Sequence, residues 1–141
     1  MIRGRWKGAL AMGLLWAAVI AAVMLCIPED DWGMMVWLWP LFSSIVMVCG
    51  IGVYLGGYML LAGFNTMSKD ERSAFDMEKV TSFTGASLVL LSYVFFLSWP
   101  SSVFYGPMMF WVMTVAFVAG VVFMAVFLNT GRFKVDPPKR S

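Results

Sequence analysis

Four carboxylates lie close together between residues 70 and 78, where they could form an acid–base site: Asp70, Glu71, Asp76 and Glu78. Paired carboxylates act as general acid and general base when their surroundings separate their pKa values. The chain has no histidine, and neither a partner base nor an enclosing segment accompanies this group. Helix capping accounts for the same acidic residues. We therefore predict that the protein is not an enzyme and has no catalytic residues.

Sulfur-containing side chains are the second set that could do chemistry, because thioether and thiol groups are ligands for Cu(I). The members that would lie toward the same end of the apolar segments are Met24, Cys26, Met34, Met35, Met108, Met109 and Met113. The chain has 13 methionines, however, and methionine is a common apolar filler. No MxM spacing occurs. We predict no metal and no cofactor, and we expect Cys26 and Cys49 to be unpaired core residues.

The composition places most of this chain in a hydrocarbon environment. Its 141 residues are 61% hydrophobic and 13% charged, whereas soluble domains have about 45–50% and about 25%. Too few polar side chains are present to cover the surface of a soluble protein of this size. A net charge of +2 is also too small to indicate nucleic acid binding. The predicted partner is the lipid bilayer, not nucleic acid.

Four apolar segments are long enough to cross that bilayer, since a membrane-spanning helix needs about 20 apolar residues. We predict spans at residues 7–27, 37–63, 83–99 and 107–129. Pro100, Gly106 and Pro107 are typical of a turn, and they separate the third span from the fourth. The first span is expected to be retained rather than cleaved as a signal peptide. The sequence thus predicts an all-α membrane protein, with a single membrane domain over residues 1–141.

The charges predict an orientation for these spans. Every Lys and Arg lies near the N-terminus, in the second loop or near the C-terminus: Arg3, Arg5, Lys7, Lys69, Arg72, Lys79, Arg132, Lys134, Lys139 and Arg140. The opposite side carries the acidic run Glu29, Asp30 and Asp31. Cytoplasmic segments of membrane proteins carry an excess of Lys and Arg. We therefore expect a multi-pass protein of the cell membrane with both termini in the cytoplasm.

The inner loop, residues 64–82, is predicted to contain a short helix. Ser68 and Glu71 have the spacing of a capping box, in which each side chain accepts a hydrogen bond from the other residue's backbone N–H. We expect this helix over about residues 69–79, with Arg72 and Asp76 paired on one face. Two interpretations of its charges remain open: a solvated connector that fixes the topology, or a docking surface for a partner.

A longer pattern, "AGFNTMSKDERSAFDMEKV", runs through residues 62–80. An apolar helix ends in Ala-Gly-aromatic, and Asn-Thr-Met-Ser-Lys, acidic residues and an aromatic-Asp pair follow. This pattern resembles the signature of domain-of-unknown-function family 3784, which contains small integral membrane proteins of prokaryotes. The resemblance is expected to cover residues 41–128, with the first helix outside it, and Phe64 and Phe75 stand where the family pattern has tyrosines. It implies a prokaryotic membrane protein and no catalytic residue.

Several residues of this pattern suit a precise turn. Gly63 can adopt the left-handed conformation that ends a helix, and Asn65 and Thr66 can bond to the backbone groups freed there. We predict that this turn sets the angle between the second and third spans. The residues assigned to the loop, in a structural or a docking role, are Gly63, Asn65, Thr66, Ser68, Lys69, Glu71 and Asp76.

Small residues at four-residue intervals predict where helices approach closely in lipid. Gly52 and Gly56 form such a pair in the second span, and Gly13, Ala17 and Ala21 form a similar stripe in the first. Two interpretations remain open here as well: packing within one chain, or association with a second copy or another membrane protein.

These features favour a non-enzymatic accessory, regulatory or immunity-type protein that acts through its helices and inner loop. Ionisable residues are absent from the interior of the predicted spans, which argues against a pump or proton-coupled transporter acting alone. The alternative is an oligomeric transporter or channel component whose polar path forms between subunits. The residues that could line such a path are Tyr54, Tyr58, Ser43, Ser92 and Thr114.

Overall fold

The computed structural model describes residues 2–28, 33–61 and 66–134. The helices in these ranges are α1 (Ile2–Cys26), α2 (Met34–Tyr54), α3 (Lys69–Ser73), α4 (Met77–Tyr105) and α5 (Pro107–Asn129). A 3₁₀ turn, Tyr58–Leu60, follows α2, and the described residues form no β-strand. Four helices, α1, α2, α4 and α5, are long and apolar enough to cross a membrane. The predicted all-α fold with four such helices and a short helix in the second loop is confirmed.

α4 lies at the centre of the bundle, where it packs against both α2 and α5. Its buried residues run along most of its length, from Val80 to Pro100. By contrast, α5 has no buried residue, and much of its apolar surface is exposed. Exposed apolar side chains suit a helix that faces lipid. α1 contacts α2 and α4 along a narrower face, which includes the buried residues Ala9 and Trp16.

Two glycines allow the backbones of α2 and α4 to touch. A Cβ atom added to Gly85 would lie 2.5 Å from the Cα atom of Tyr54, and one added to Gly50 would lie 2.9 Å from the backbone nitrogen of Val89. Interiors are close-packed, and neither position has room for a side chain. The contact between α2 and α4 therefore depends on Gly50 and Gly85, which the small-residue patterns did not single out.

Gly52 and Gly56, predicted to pack against another helix, instead belong to the end of α2. Gly56 has φ +107°. Its N–H donates to the Val53 carbonyl at 2.9 Å, and the Gly57 N–H donates to the Gly52 carbonyl at 2.9 Å. This pair of bonds is a Schellman motif, which closes a helix on a left-handed residue. α2 consequently ends well before the boundary predicted at Gly63.

α4 is longer than predicted at both ends, since it begins at Met77 and continues through the segment expected to form a turn. Only Gly106, with φ +90°, separates α4 from α5. Pro107 then occupies the first turn of α5, where a proline needs no N–H partner. Pro100 lies inside α4, and proline is tolerated within a membrane-spanning helix whose neighbours satisfy the freed backbone groups.

The other spans differ less from their predicted bounds. α1 begins at Ile2 rather than residue 7, and α2 begins at Met34 rather than residue 37, with Pro40 inside it. The bounds of α5 match the predicted 107–129. Length and apolar composition therefore locate each span correctly, but several helix ends in the structure differ from the predicted ends.

One end of the bundle brings together the start of α1, the end of α2, the start of α4 and the end of α5. The Arg5 guanidinium reaches the Tyr54 carbonyl (3.0 Å) and the Glu78 carbonyl (2.9 Å). The Asp76 N–H donates to the Phe133 carbonyl (2.7 Å). We call this the cationic end, because it gathers Arg5, Lys7, Lys69, Arg72, Lys79, Arg132 and Lys134. The predicted grouping of positive charges is thus present among the described residues.

Candidate contact surfaces

Arg5 is the centre of a polar network at the cationic end. Its guanidinium donates to the Tyr54 carbonyl, to the Glu78 carbonyl and to the Thr81 hydroxyl, the last at 3.2 Å. It also pairs with the Glu78 carboxylate at 3.3 Å and lies 5.6 Å from the centroid of the Tyr54 ring. Hydrogen bonds made by a charged group are stronger than neutral ones. Arg5 therefore ties α1 to α2 and α4, a role that the charge pattern did not predict.

Two open clefts flank Arg5, with volumes of about 220 Å³ and about 260 Å³. The charges around them are paired, because Arg5 faces Glu78 and Lys79 lies 3.0 Å from the Asp76 carboxylate. A cleft whose positive and negative groups already neutralise one another has little field with which to attract an ion. These clefts are therefore part of the junction between helices.

The predicted capping box at the start of α3 is present. The Glu71 N–H donates to the Ser68 hydroxyl at 3.2 Å, and the Ser68 N–H donates to the Glu71 carboxylate at 2.8 Å. α3 ends at Ser73 rather than near residue 79, because a second capping residue, Asp76, starts α4 three residues later. The loop thus contains two helix starts where one helix was predicted.

The predicted ion pair between Arg72 and Asp76 is wrong. The Asp76 carboxylate accepts from the Lys79 N–H at 3.1 Å and pairs with the Lys79 ammonium. The Arg72 guanidinium donates to the Met67 carbonyl at 2.7 Å and lies 5.0 Å from the centroid of the Tyr58 ring. The helix is interrupted between Ser73 and Asp76. Arg72 and Asp76 therefore do not lie one turn apart on the same helical face, as such pairing requires.

The remaining residues assigned to the loop divide into two groups. Gly63 and Asn65 lie outside the described residues, so the predicted left-handed cap and its side-chain bonds lie outside them as well. Thr66 and Lys69 are exposed. The exposed charged surface of α3 stays a candidate docking surface, and the hydrogen bonds at Ser68 show that part of the pattern is structural.

Hydrogen bonding makes two carboxyls in this loop more acidic than usual. The backbone N–H of Ser68 is the main cause that lowers the pKa of Glu71, and its hydroxyl adds to the effect. The Lys79 side chain is the main cause that lowers the pKa of Asp76, followed by the Lys79 backbone N–H. Bonds to the charged form stabilise that form. Both carboxyls are thus held ionised, the opposite of the raised pKa that a general acid requires.

Replacing Ser68 with alanine should destabilise α3 locally, because the Glu71 N–H loses its acceptor. Loss of a serine N-cap costs about 1 kcal/mol, which corresponds to about fivefold faster amide exchange. Hydrogen exchange of residues 71–75 measures this effect. The matched control is Ser73→Ala, which removes a hydroxyl from the other end of α3. Equal acceleration in the two variants would show that the capping box does not stabilise the helix.

The lowered pKa of Glu71 predicts a pH dependence for α3. A carboxyl whose pKa is lower in the folded state contributes stability above its unfolded pKa, and this contribution disappears as the pH falls through the folded value. We expect protection of residues 71–75, corrected for intrinsic exchange rates, to be constant near neutral pH and to fall below about pH 4. Glu71→Gln should remove most of this dependence. Protection that increases on acidification would contradict the assignment.

The residues after α5 pack against the other helices at the cationic end and stabilise it. Phe133 is buried against Val53, Leu61 and Val80, and Lys134 forms an antiparallel bridge with Phe75. This contact was not predicted from the sequence. An aromatic residue among basic residues after the last span was its only local signal, and the partners lie more than fifty positions away in the chain.

Hydrogen bonds also anchor α1 within the membrane-spanning part. The Trp16 indole N–H donates to the Ser44 hydroxyl at 3.1 Å, and Trp16 packs in a core cluster with Met47, Val89 and Phe96. The Tyr93 hydroxyl, from α4, donates to the Met12 carbonyl at 3.4 Å. Such bonds hold helices together where little hydrophobic driving force exists between them.

The hydroxyl residues considered for a transport path do not come together on one surface. Ser43 and Ser92 are buried, and their hydroxyls donate within their own helices to Trp39 (2.8 Å) and Val89 (2.6 Å). The remaining three residues are dispersed: Tyr54 lies under Arg5, Tyr58 lies under Arg72, and Thr114 donates to Phe110. The hydroxyls of Ser43, Ser92 and Thr114 thus each have an acceptor within their own helix.

The small residues of α1 lie along an uncovered flank of that helix. A Cβ atom added to Gly13 would meet nothing within 4 Å, and Ala17 and Ala21 are exposed. Of the two interpretations left open for this stripe, packing within the chain has no contact to support it among the described residues. Association with a second molecule is the interpretation that remains for them.

The two cysteines also face outward. Cys26 and Cys49 are free, as predicted, but both are exposed rather than buried in the core. Both lie in helices that are long and apolar enough to cross a membrane, where small apolar side chains suit contact with lipid.

Part of the chain matches a described protein family. A family model described as a domain of unknown function (DUF3784) matches residues 40–132. This match confirms the resemblance inferred from the loop pattern, and it extends from Pro40 in α2 to just beyond α5. Neither a curated protein nor a solved structure matches the chain. α1 lies outside the matched residues.

Proposed function

The chain belongs to the DUF3784 family. We propose that it is a non-enzymatic accessory or regulatory protein of a prokaryotic cell membrane, which acts by contact with another membrane protein. The polar groups at its cationic end support this proposal. Glu71 and Asp76 are helix caps, and Glu78 pairs with Arg5. These carboxylates begin helices or join them, so their role is structural. Such a role suits a protein that acts by presenting surfaces to a partner.

The position of α1 is the observation that supports this proposal most. α1 lies outside the family-matched residues, and it contacts the rest of the bundle along one narrow face. Its other flank exposes Ala17 and Ala21. Helices associate in lipid through close backbone approach and packing, which small residues allow. We infer that this flank, which we call the α1 flank, contacts a membrane-spanning helix of a different protein.

The orientation of the protein is part of the same proposal. Cytoplasmic segments carry the excess of Lys and Arg, and the cationic end gathers such residues from four separate segments. We propose that this end faces the cytoplasm, with both termini there. The exposed charged side chains of α3 are then available to a cytoplasmic segment of the partner.

Site-specific photo-crosslinking in the cells that naturally make this protein tests whether the α1 flank contacts another membrane protein. A photoreactive phenylalanine analogue placed at Ala17 or Ala21 should crosslink to one discrete foreign membrane protein, because either side chain would lie in the interface. The matched control position is Ala119, which is exposed on α5. The expected result is a specific adduct from α1 and none of the same mass from α5.

A second variant makes the crosslinking result interpretable. Ala17→Leu places a larger side chain on the α1 flank. It should reduce the amount of the foreign protein that co-purifies with this chain in mild detergent, whereas Ala119→Leu should leave that amount unchanged. Adducts that contain only a second copy of this chain would replace the accessory role with self-association. The same adducts from Ala17 and Ala119 would contradict a contact surface on α1.

A further inference from the structure

A cavity of about 310 Å³ lies among α2, α4 and α5, in the half of the bundle away from the cationic end. The side chains that define it include Trp39, Phe95, Ser98, Phe110, Thr114 and Phe117. Half of its lining residues are aromatic, and each of the three helices contributes at least one ring. Concave apolar sites with a few placed polar groups are the usual form of small-molecule sites.

α4 and α5 approach each other closely at Gly120, on the side of the cavity nearer the cationic end. A Cβ atom added to Gly120 would lie 2.6 Å from a methyl carbon of Leu91, so the two helices are close there. Nearer the other end, the two helices meet through aromatic rings, since Phe95 and Phe117 have ring centroids 5.4 Å apart. Phe110 and Phe117 are seven residues apart, so the gap runs about 10 Å along α5.

The walls of this cavity are held in place before any ligand enters. The Trp39 indole N–H donates to the Phe95 carbonyl at 2.9 Å and to the Ser98 hydroxyl at 3.2 Å. The Trp39 and Phe95 rings are stacked, with centroids 4.8 Å apart, and Phe110 lies 5.9 Å from Trp39. A site whose side chains are already fixed loses little conformational freedom on binding.

The size and lining of the cavity indicate the class of ligand. An apolar cavity of about 150 Å³ accommodates one benzene molecule, so this one has room for about two rings. Aromatic walls interact with flat aromatic faces and edges beyond the simple burial of area. Thr114 donates its own hydroxyl proton to the Phe110 carbonyl at 2.7 Å, which leaves its oxygen able to accept a bond. We infer that this cavity binds a membrane-soluble aromatic molecule of about two fused rings.

Access to the cavity is from the lipid. Val118 borders the cavity and is exposed on the surface of α5, and the surrounding helices are the membrane-spanning ones. A ligand that partitions into the bilayer would therefore reach the cavity sideways. An ordinary acyl chain would also reach it, so the experiment must separate aromatic recognition from simple filling by hydrocarbon.

Photolabelling with 1-azidonaphthalene tests this inference on the full chain in lipid nanodiscs. Labelling of the peptide that contains residues 110–118 should saturate with concentration, and naphthalene should compete for it. Decalin is the matched competitor, because it has the same fused ten-carbon skeleton but no aromatic face. Naphthalene should compete about tenfold better than decalin, the difference that a few favourable ring contacts provide.

A pair of variants locates the site. Thr114→Phe places a ring in the cavity and should abolish the saturable labelling, whereas Val115→Phe, at an exposed neighbouring position, should leave it intact. If Thr114→Phe does not fold, the comparison of naphthalene with decalin on the unchanged protein still decides the matter. Equal competition by the two compounds, or labelling that rises without saturation on all exposed helices, would overturn the inference.

Discussion

Replacing Gly85 with valine should strongly destabilise the bundle. The added side chain would overlap the backbone of Tyr54, and a backbone cannot move aside as the end of a flexible side chain can. Overpacking a well-packed interior costs about 1–3 kcal/mol and occasionally more, and we expect at least about 3 kcal/mol here because backbone is the obstacle. Thermal unfolding of the purified protein in detergent, followed by circular dichroism, measures the loss.

The matched control for this prediction is Gly13→Val on α1. A Cβ atom at Gly13 would meet nothing within 4 Å, so the change in the free energy of unfolding should stay within about 0.5 kcal/mol. The two variants add the same atoms to a glycine in a membrane-spanning helix. Equal effects on unfolding would mean that α2 and α4 do not approach as closely as described.

Replacing Arg5 with methionine should detach α1 from the other helices at the cationic end. The side chain of Arg5 is only 18% exposed, and its loss leaves the Tyr54 carbonyl without this donor and the Glu78 carboxylate without its ion-pair partner. Hydrogen bonds to charged groups contribute about 1.5–3 kcal/mol each, so we expect a loss of about 2–3 kcal/mol. Methionine retains much of the apolar stem, which separates the effect of charge from that of packing.

The location of the destabilised residues tests the role of Arg5 more sharply than the size of the stability loss. Amide exchange should accelerate in the first turns of α1, while α5 should keep its protection. Lys7→Met, on the same helix at an exposed position, is the control and should change little. Equal exchange in the Arg5 and Lys7 variants would show that Arg5 does not join these helices.

Features set by local sequence were predictable from this chain. The capping box needs only Ser68 and Glu71 at the correct spacing, and each membrane-spanning helix needs only a long apolar segment. The Schellman end of α2 also has a local signal, the paired glycines Gly56 and Gly57. Gly56 was instead predicted to serve helix packing, because small residues are common both at helix ends and at helix contacts.

Features that depend on distant partners were not predictable. Gly85 has no glycine or alanine at four-residue spacing, and its importance arises from the backbone of Tyr54 on another helix. Arg5 and Phe133 act through carbonyls and apolar side chains that folding brings to them. Of the candidate surfaces, the charged loop was visible in the sequence, whereas the aromatic cavity required the arrangement of three helices.

Cysteine labelling in intact cells tests the proposed arrangement of the chain across the membrane. In a background with Cys26→Ser and Cys49→Ser, single cysteines are introduced as Ser73→Cys in α3, Lys134→Cys after α5 and Gly33→Cys before α2. A membrane-impermeant maleimide should modify the variant at Gly33 in intact cells. It should modify the variants at Ser73 and Lys134 only after the membrane is made permeable. Modification of Ser73→Cys and Lys134→Cys on opposite sides would contradict a bundle whose cationic end faces the cytoplasm.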